Sequence, residues 1–352
     1  MDLKKFIDEN KNYQEILKNK QYVLKKRNDL LLIKYKYGKT NFDEPWEKYC
    51  KGCIIDINNN KIVCLSPVKS ENEILTDFSD SIVENLIDGT MINLFFYKEN
   101  WIISTRSDIG GKNRWNNMSI LNMFKQCCDY DKLCNSLNKK CCYSFVMNHT
   151  NIRNISHVNE NKITLIEQRD LENLTLNYNF ENINCNIVEK IQCNNIEKTV
   201  NDLLEKNKDN VDFKGLTIKK NGKRYNFINQ IYLKIKNTIA INNDNLLYKY
   251  NECLQQNKLK EYVELFPENK KKFTKYDDIY NLMCQDLLST YHNLFIHKII
   301  EKKDVKYQLN PLIYDIHKIY LTTKKYIDKQ TVEEYVKTLD VKRLVFTMKY
   351  YL

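Results

Sequence analysis

Short runs of alternating apolar and polar residues, separated by polar turns, fill the first two thirds of the chain. Residues 53–57 and 61–65 flank an Asn58-Asn59-Asn60 turn, and residues 91–97 and 101–105 flank a Lys98-Glu99-Asn100 turn. This pattern is typical of two β-hairpins. It also predicts strands at 143–147, 162–166, 216–219 and 224–228, the last two joined by Asn221-Gly222.

The pattern changes after about residue 231 to the three- and four-residue spacing of amphipathic helices. Thr331 and Glu334 have the spacing of a capping box, and residues 3–26 also have a helical pattern. All seven glycines lie at or before Gly222. We therefore predict an α+β protein with an antiparallel-sheet domain at 1–236 and an all-helical C-terminal domain at 237–352. The apolar positions of the predicted C-terminal helices are Leu246, Leu247, Tyr250 and Leu254; Ile279, Leu282, Met283, Leu287 and Tyr291; and Val332, Tyr335, Val336 and Leu339.

The composition of the chain limits what its charge can indicate. A formal net charge of +11 favours an anionic partner such as RNA. However, Lys far outnumbers Arg and Ala240 is the only alanine, a skew that is typical of AT-rich genes. The charge is therefore only a moderate argument for a nucleic-acid partner.

Two further patterns concern location and metal binding. No run of about 18 apolar residues occurs, so we predict a cytoplasmic protein that does not associate with membranes. Cys50 and Cys53 have the spacing of half a zinc site, but the adjacent pairs among the 12 cysteines lack the gap that a second half needs. We predict reduced thiols and no metal site.

A series of short motifs lies in the strand-rich region. Lys51-Gly52 begins a strand, Pro67 and Lys69 follow the first hairpin, and Leu86-Ile87-Asp88-Gly89 precedes the second. The remaining motifs are Thr105-Arg106-Ser107, Phe145-Val146, Ile152-Arg153, Lys214-Gly215, and Asn226 with Ile228.

In this order, the motifs resemble those of the bacteriophage-type ATP-dependent RNA ligases of the covalent nucleotidyltransferase superfamily. The resemblance covers about residues 49–236. It is closer to the degenerate members of the family that large double-stranded DNA viruses encode. It implies a ligase-like nucleotidyltransferase domain and, for a viral protein, the host cytoplasm or the viral factory.

The functional residues of the family are absent at five positions. A nucleophilic lysine should stand two residues before the Asp-Gly turn, where this chain has Leu86. Leucine has no nucleophilic atom. The two family glutamates, which bind ribose or a catalytic metal, are Val146 and Lys214, and the two closing lysines are Asn226 and Ile228. The resemblance thus implies a retained fold without the covalent chemistry.

We expect a pseudoenzyme, with no catalytic residue and no cofactor, that binds RNA or a nucleotide end. A lysine at position 214 could bind a phosphate without Mg²⁺. Two alternatives remain open: an active ligase or capping-type enzyme that uses ATP and Mg²⁺ with a relocated lysine such as Lys51 or Lys69, and a subunit of a viral transcription or translation assembly that binds a protein partner through the helical domain. The residues expected to bind the ligand are Lys51, Lys69, Asp88, Gly89, Arg106, Arg153, Lys214 and Arg224.

Overall fold

A computed structural model describes residues 2–36, 38–71, 73, 75–112, 114–115, 118–152, 154–180, 182–238 and 245–352. The chain divides into two compact units, Met1–Ile241 and Asn242–Leu352. In the described residues, no helix is both long and apolar enough to cross a membrane.

The first unit contains all the strands of the described residues, which belong to four sheets. They are β1 (Val23–Arg27), β2 (Leu30–Lys34), β3 (Lys51–Asp56), β4 (Lys61–Cys64), β5 (Ile82–Asn85), β6 (Thr90–Tyr97), β7 (Asn100–Ser104), β8 (Arg114–Trp115), β9 (Met118–Ser119), β10 (Cys141–Asn148), β11 (Lys162–Asp170), β12 (Leu176–Asn177), β13 (Asn186–Ile187), β14 (Gly215–Lys220) and β15 (Lys223–Ile228).

The sheet order brings distant motifs together. One sheet has the order β1-β2-β3-β4, the largest has the order β12-β11-β10-β6-β7 with β13 parallel to β11, and a third has the order β15-β14-β5. The small β8-β9 pair completes the set. Because β5 pairs with β14, the segment before Asp88-Gly89 lies beside the strand that begins at Gly215, although 130 residues separate them.

Helices lie in both units. They are α1 (Asp2–Glu9), α2 (Tyr13–Asn19), α3 (Ile120–Gln126), α4 (Tyr130–Ser136), α5 (Ile196–Lys206), α6 (Gln230–Thr238), α7 (Leu246–Gln255), α8 (Leu259–Leu265), α9 (Lys270–Tyr291), α10 (Asn310–Thr323), α11 (Lys329–Lys337) and α12 (Val341–Met348). The described residues of the second unit contain helices and no strand.

Each of the three larger sheets contributes to its own apolar cluster. The β1–β4 sheet packs with α1 and α2, and the Phe6 and Trp46 rings stack 3.9 Å apart at this contact. The β6–β10 region packs with α3 and α4, and the β5–β14 pair packs with α5. The buried members include Leu17, Ile33 and Ile54 in the first cluster, Phe124, Tyr143 and Phe145 in the second, and Val83, Val200 and Leu216 in the third.

The mixed α+β class and the predicted hairpins are confirmed. Strands β3 and β4 pair antiparallel, as do β6 and β7, and β14 and β15 pair around the Asn221-Gly222 turn. The apolar helical face at residues 279–291 is also observed in α9, except that Leu282 is 52% exposed.

Two local predictions were wrong. The span predicted as helical at residues 3–26 contains two helices, α1 and α2, and the second ends at Asn19; Gln21 has φ +61, a conformation that stops a helix. Residues from Val23 form β1 instead, because the Asn28-Asp29 turn folds them onto β2. Thr331 does not cap α11: Asp328 is the N-cap, and its side chain accepts a hydrogen bond from the backbone N–H of Thr331.

Candidate functional site: a basic cleft

The five positions at which the resemblance places functional residues line one cavity. Its volume is about 400 Å³, and its walls come from β3, β5, β10, β14, β15 and α6, together with the segments that follow β4 and β7. The side chains at these five positions are Leu86, Val146, Lys214, Asn226 and Ile228. We call this cavity the basic cleft, because six of its lining residues are cationic: Lys51, Lys69, Arg106, Lys214, Arg224 and Lys236.

Lys51 and Arg106 are brought together by a close approach of two backbones. Gly52 has φ +98, and a Cβ at this position would lie 2.8 Å from the Cα of Arg106. Only glycine allows β3 to approach the segment after β7 this closely. That segment is held in a turn, since Thr105 Oγ1 accepts hydrogen bonds from the N–H groups of Ser107 and Asp108. The two cations therefore enter the cleft from a fixed backbone.

Lys69 reaches the cleft from the irregular segment after β4. Its backbone N–H donates to the carbonyl of Lys48 at 3.1 Å, which fixes the segment against the 3-10 helix Pro45–Tyr49 that precedes β3. Its Nζ lies 4.7 Å from the ring centre of Phe42 and 3.3 Å from the Ser70 carbonyl oxygen. The face of an aromatic ring attracts a lysine side chain in this position.

Arg224 enters from β15 beside a buried ion pair. Glu84 on β5 and Lys219 on β14 are 2.6 Å apart, and their side chains are 3% and 1% exposed. Lys219 also donates to the carbonyl of Ile166 at 2.7 Å. Arg224 is 8% exposed, yet its Nε has no hydrogen-bond partner among the described residues.

Asp88 is the centre of a hydrogen-bonded node next to the cleft. Its Oδ2 accepts from the backbone N–H groups of Ile155 and Ser156 at 3.0 and 3.2 Å. Its Oδ1 accepts from the Tyr232 hydroxyl at 2.7 Å and from Lys214 Nζ at 3.3 Å. Lys214 also lies over the Tyr232 ring, 5.5 Å from its centre. The node joins the Asp-Gly turn to the start of β14 and to α6.

Gly89 supports the same node through its lack of a side chain. A Cβ on Gly89 would lie 2.6 Å from Val146 Cγ1 and 2.7 Å from the Met147 carbonyl oxygen. The Asp-Gly turn can therefore lie flat on β10 only with glycine. The amide of Asn148 completes the contact by donating to the Asp88 carbonyl at 2.7 Å.

Burial and mutual repulsion lower the pKa values of three basic side chains in the cleft. Burial, followed by repulsion from Arg106, Arg224, Lys69 and Lys214, lowers the pKa of Lys51 to about 6. Burial and the charge of Arg224 lower the pKa of Arg106 to about 10. Burial also lowers the pKa of Lys214, although the Asp88 carboxylate opposes this shift. An anion in the cleft would reverse these shifts, because opposite charges favour the protonated form.

The structure brings most of the sequence-predicted residues together. Lys51, Lys69, Gly89, Arg106, Lys214 and Arg224 line the basic cleft beside Leu86. Asp88 lines the neighbouring cavity, and its carboxylate is held by the four donors of the node. Arg153 lies outside the described residues.

Sequence reasoning missed Lys236, Glu84 and Tyr35, which also line the cleft. A signal for Lys236 was present: it lies four residues after Tyr232 on α6, so both residues share one face of that helix. No comparable signal marks Glu84 or Tyr35, because their places in the cleft depend on the pairing of β5 with β14 and of β2 with β3.

A second cavity adjoins the basic cleft. Its volume is about 570 Å³, and it shares Asn85, Leu86, Ile87 and Lys214 with the cleft. In this cavity, His157 Nδ1 lies 2.8 Å from Asp212 Oδ1, and Glu160 pairs with Lys162 at 2.7 Å. These charged side chains are thus paired with near neighbours in the sequence or in the cavity.

No family model matches the chain, and no curated protein matches it significantly. Among solved structures, the chain is similar to a protein of Aquifex aeolicus assigned as an ATP-dependent DNA ligase, with 15% identity over 75% of this chain and 74% of that one and a TM-score of 0.49. It is also similar to an archaeal ATP-dependent RNA ligase, with 9% identity over 95% and 86% of the chains and a TM-score of 0.46. An RNA ligase of Naegleria gruberi, solved with ATP and Mn, has 13% identity over 44% and 51% and a TM-score of 0.33. The structural neighbours are thus ATP-dependent DNA and RNA ligases, but at these scores the likeness carries no argument about function.

Proposed function

We propose that the basic cleft binds a nucleotide or the phosphorylated end of an RNA without forming a covalent lysyl-nucleotide. One observation carries this proposal: the five motif positions, which are scattered over more than 140 residues of sequence, line one cavity together with six cationic side chains. Lys and Arg side chains bind phosphate oxygens through charge-assisted hydrogen bonds. The proposal includes a viral origin, because the resemblance is to degenerate viral members of the family.

The loss of the nucleophile argues for binding without catalysis. Leu86 lines the cleft where the resemblance places the lysine. Removal of a covalent nucleophile typically reduces turnover on the order of a million-fold. The surrounding cations can still hold the ligand that the nucleophile would have attacked.

A second candidate function is an active nucleotidyltransferase in which Lys51 is the nucleophile. It is favoured by the pKa of Lys51, which is lowered to about 6, so that the amine is largely neutral at pH 7 in the empty cleft. In this case the Lys51 nitrogen would attack the α-phosphorus of ATP, form a P–N bond, lose a proton and release pyrophosphate.

Denaturing gels after incubation with α-labelled ATP or GTP and Mg²⁺ test the proposal. We expect no labelled protein band, together with reversible binding of the same nucleotides in a filter or calorimetric assay. A covalent band that disappears in the Lys51→Met variant but persists in a Lys223→Met variant would instead establish the second candidate. Lys223 is a suitable control because it is exposed and does not line the cleft.

A further inference from the structure

The side chains of the cleft do not fit the divalent cation that the resemblance implies. Mg²⁺ takes oxygen ligands, usually one or two carboxylates together with phosphates and waters. At the two glutamate positions of the family, this chain has Val146 and Lys214, and neither can coordinate a cation. No group of three or more His, Cys, Asp or Glu suited to a metal ion occurs in the part of the chain that the structure describes.

Glu84 is the one carboxylate among the described residues that line the cleft. Its Oε2 lies 2.6 Å from Lys219 Nζ, and the nearby Arg224 also acts on its charge. Its Oε1 has no hydrogen-bond partner among the described residues. A single carboxylate oxygen beside so many cations is nevertheless a poor ligand set for a divalent ion, which the same cations would repel.

Three of the basic side chains of the cleft have polar atoms without a partner. Among the described residues, Lys51 Nζ has no ion-pair or hydrogen-bond partner, and the Nε atoms of Arg106 and Arg224 have no hydrogen-bond partner. Arg106 and Arg224 also repel each other, because like charges that share one cavity interact unfavourably. A bound polyanion would remove this repulsion and satisfy the donors at the same time.

We propose that the basic cleft binds a polyphosphate group as the metal-free anion, with Lys and Arg side chains in the place of the divalent ion, so that Mg²⁺ weakens binding. This inference rests on the proposed function and adds the chemical form of the ligand. Mg²⁺ bound to a polyphosphate removes two negative charges and occupies oxygens that the guanidinium groups require. The chelated ligand therefore gains less from the cleft than the free anion does.

Calorimetric titration of the full chain with ATP and with inorganic tripolyphosphate, in EDTA and in excess MgCl₂ at equal ionic strength, tests the inference. We expect a Kd about tenfold tighter in EDTA, which corresponds to about 1.4 kcal/mol. RNA oligonucleotides with a 5′-triphosphate and with a 5′-hydroxyl form a second arm. If ATP and tripolyphosphate bind and the RNA oligonucleotides do not, the natural ligand is a nucleotide. If the 5′-triphosphate RNA binds more tightly than ATP and tripolyphosphate, the natural ligand is an RNA end. Both results support the inference.

Matched variants locate the binding site. We expect Lys51→Met and Arg224→Met each to weaken binding in EDTA by at least tenfold, whereas Lys223→Met, next to Arg224 but exposed, leaves the Kd unchanged. Circular dichroism and thermal unfolding identify any variant that fails to fold. If Arg224→Met does not fold, Arg224→Lys is used in its place. A Kd that is tighter in Mg²⁺ than in EDTA would overturn the inference while leaving the proposed function intact. Absence of binding in both conditions would overturn the proposed function itself.

Discussion

Lys51 is a lysine whose burial and cationic neighbours both disfavour its protonated form. It is half-buried on β3, and burial together with four neighbouring cations lowers its pKa to about 6. A lysine in solution has a pKa near 10.4, so Lys51 loses its proton in the empty cleft at neutral pH. The charged and titratable residues that face it across the cleft are Tyr35, Lys69, Glu84, Arg106, Lys214, Arg224 and Lys236.

The lowered pKa of Lys51 predicts that the protein takes up a proton when the ligand binds. A bound polyphosphate raises the pKa of Lys51, so the protonated form has the higher affinity. Affinity is then greatest below about pH 6 and falls as the pH rises through 6 toward the pKa of the complex. Calorimetry at pH 7.5 in two buffers of different ionisation enthalpy measures the uptake.

The Lys51→Met variant separates this effect from titration of the ligand. We expect the wild-type chain to take up more protons than the variant, by up to one per ligand. Equal uptake by the two proteins would show that Lys51 is already charged in the empty cleft or does not contact the ligand.

Asp88 has a structural role in the protein. Four donors hold its carboxylate: the N–H groups of Ile155 and Ser156, the Tyr232 hydroxyl and Lys214 Nζ. Lys214 is thereby paired with Asp88 and contributes only part of its charge to the cleft. The sequence predicted a cation at position 214, but not this partner.

At the scale of elements, the cleft depends on how closely β3 approaches the segment after β7. We expect Gly52→Ala to displace Arg106, because the added Cβ would lie 2.8 Å from its Cα and would also require an alanine at φ +98. Backbone strain of this kind costs about 1–3 kcal/mol. The free energy of unfolding should fall by about this amount, as measured by denaturant titration, and tripolyphosphate binding should weaken by at least tenfold.

Gly222→Ala is the matched control for this substitution. Gly222 also has positive φ, +74, but nothing lies within 4 Å of an added Cβ. This variant should lose stability through backbone strain and keep the affinity of the wild-type chain. If both variants bind tripolyphosphate equally well, the Gly52 contact does not position Arg106 for binding.

Three hairpins could be predicted from the sequence, whereas the N-terminal helical region could be predicted only in part. Alternation with short polar turns identified the β3–β4, β6–β7 and β14–β15 hairpins because both strands and the turn are local in sequence. The helical pattern at residues 3–26 does not continue to its predicted end, because residues from Val23 form a strand that pairs with β2. Pairing with a neighbouring strand can override a local helical pattern.

For the whole molecule, the formal net charge of +11 and the basic cleft predict that RNA binding depends on salt. Each phosphate neutralised on a single strand contributes about −0.7 to the slope of log K against log salt, so a triphosphate held in the cleft predicts a slope of about −2. Titration of a 5′-triphosphate oligonucleotide between 50 and 200 mM salt measures this slope.

The double variant Lys51→Met/Arg224→Met should have a slope that is shallower by about 1.4, because two contacts are lost. An unchanged slope would place the phosphate contacts elsewhere on the protein. Negligible RNA affinity at every salt concentration would instead favour the alternative of a protein-binding subunit of a larger assembly.

The sequence by itself determined the three local hairpins, the order of the motifs and the identities of residues 86, 146, 214, 226 and 228, because each is a matter of local pattern or residue identity. Only the tertiary structure decided that these positions surround one cavity, that Glu84 and Lys236 join them, and that Lys214 pairs with Asp88. The physical reason is that β5 pairs with β14 across more than a hundred residues, which brings the local β14–β15 hairpin beside the Asp-Gly turn. The depressed pKa of Lys51 has the same origin, since it depends on charges that four separate segments bring into the cleft.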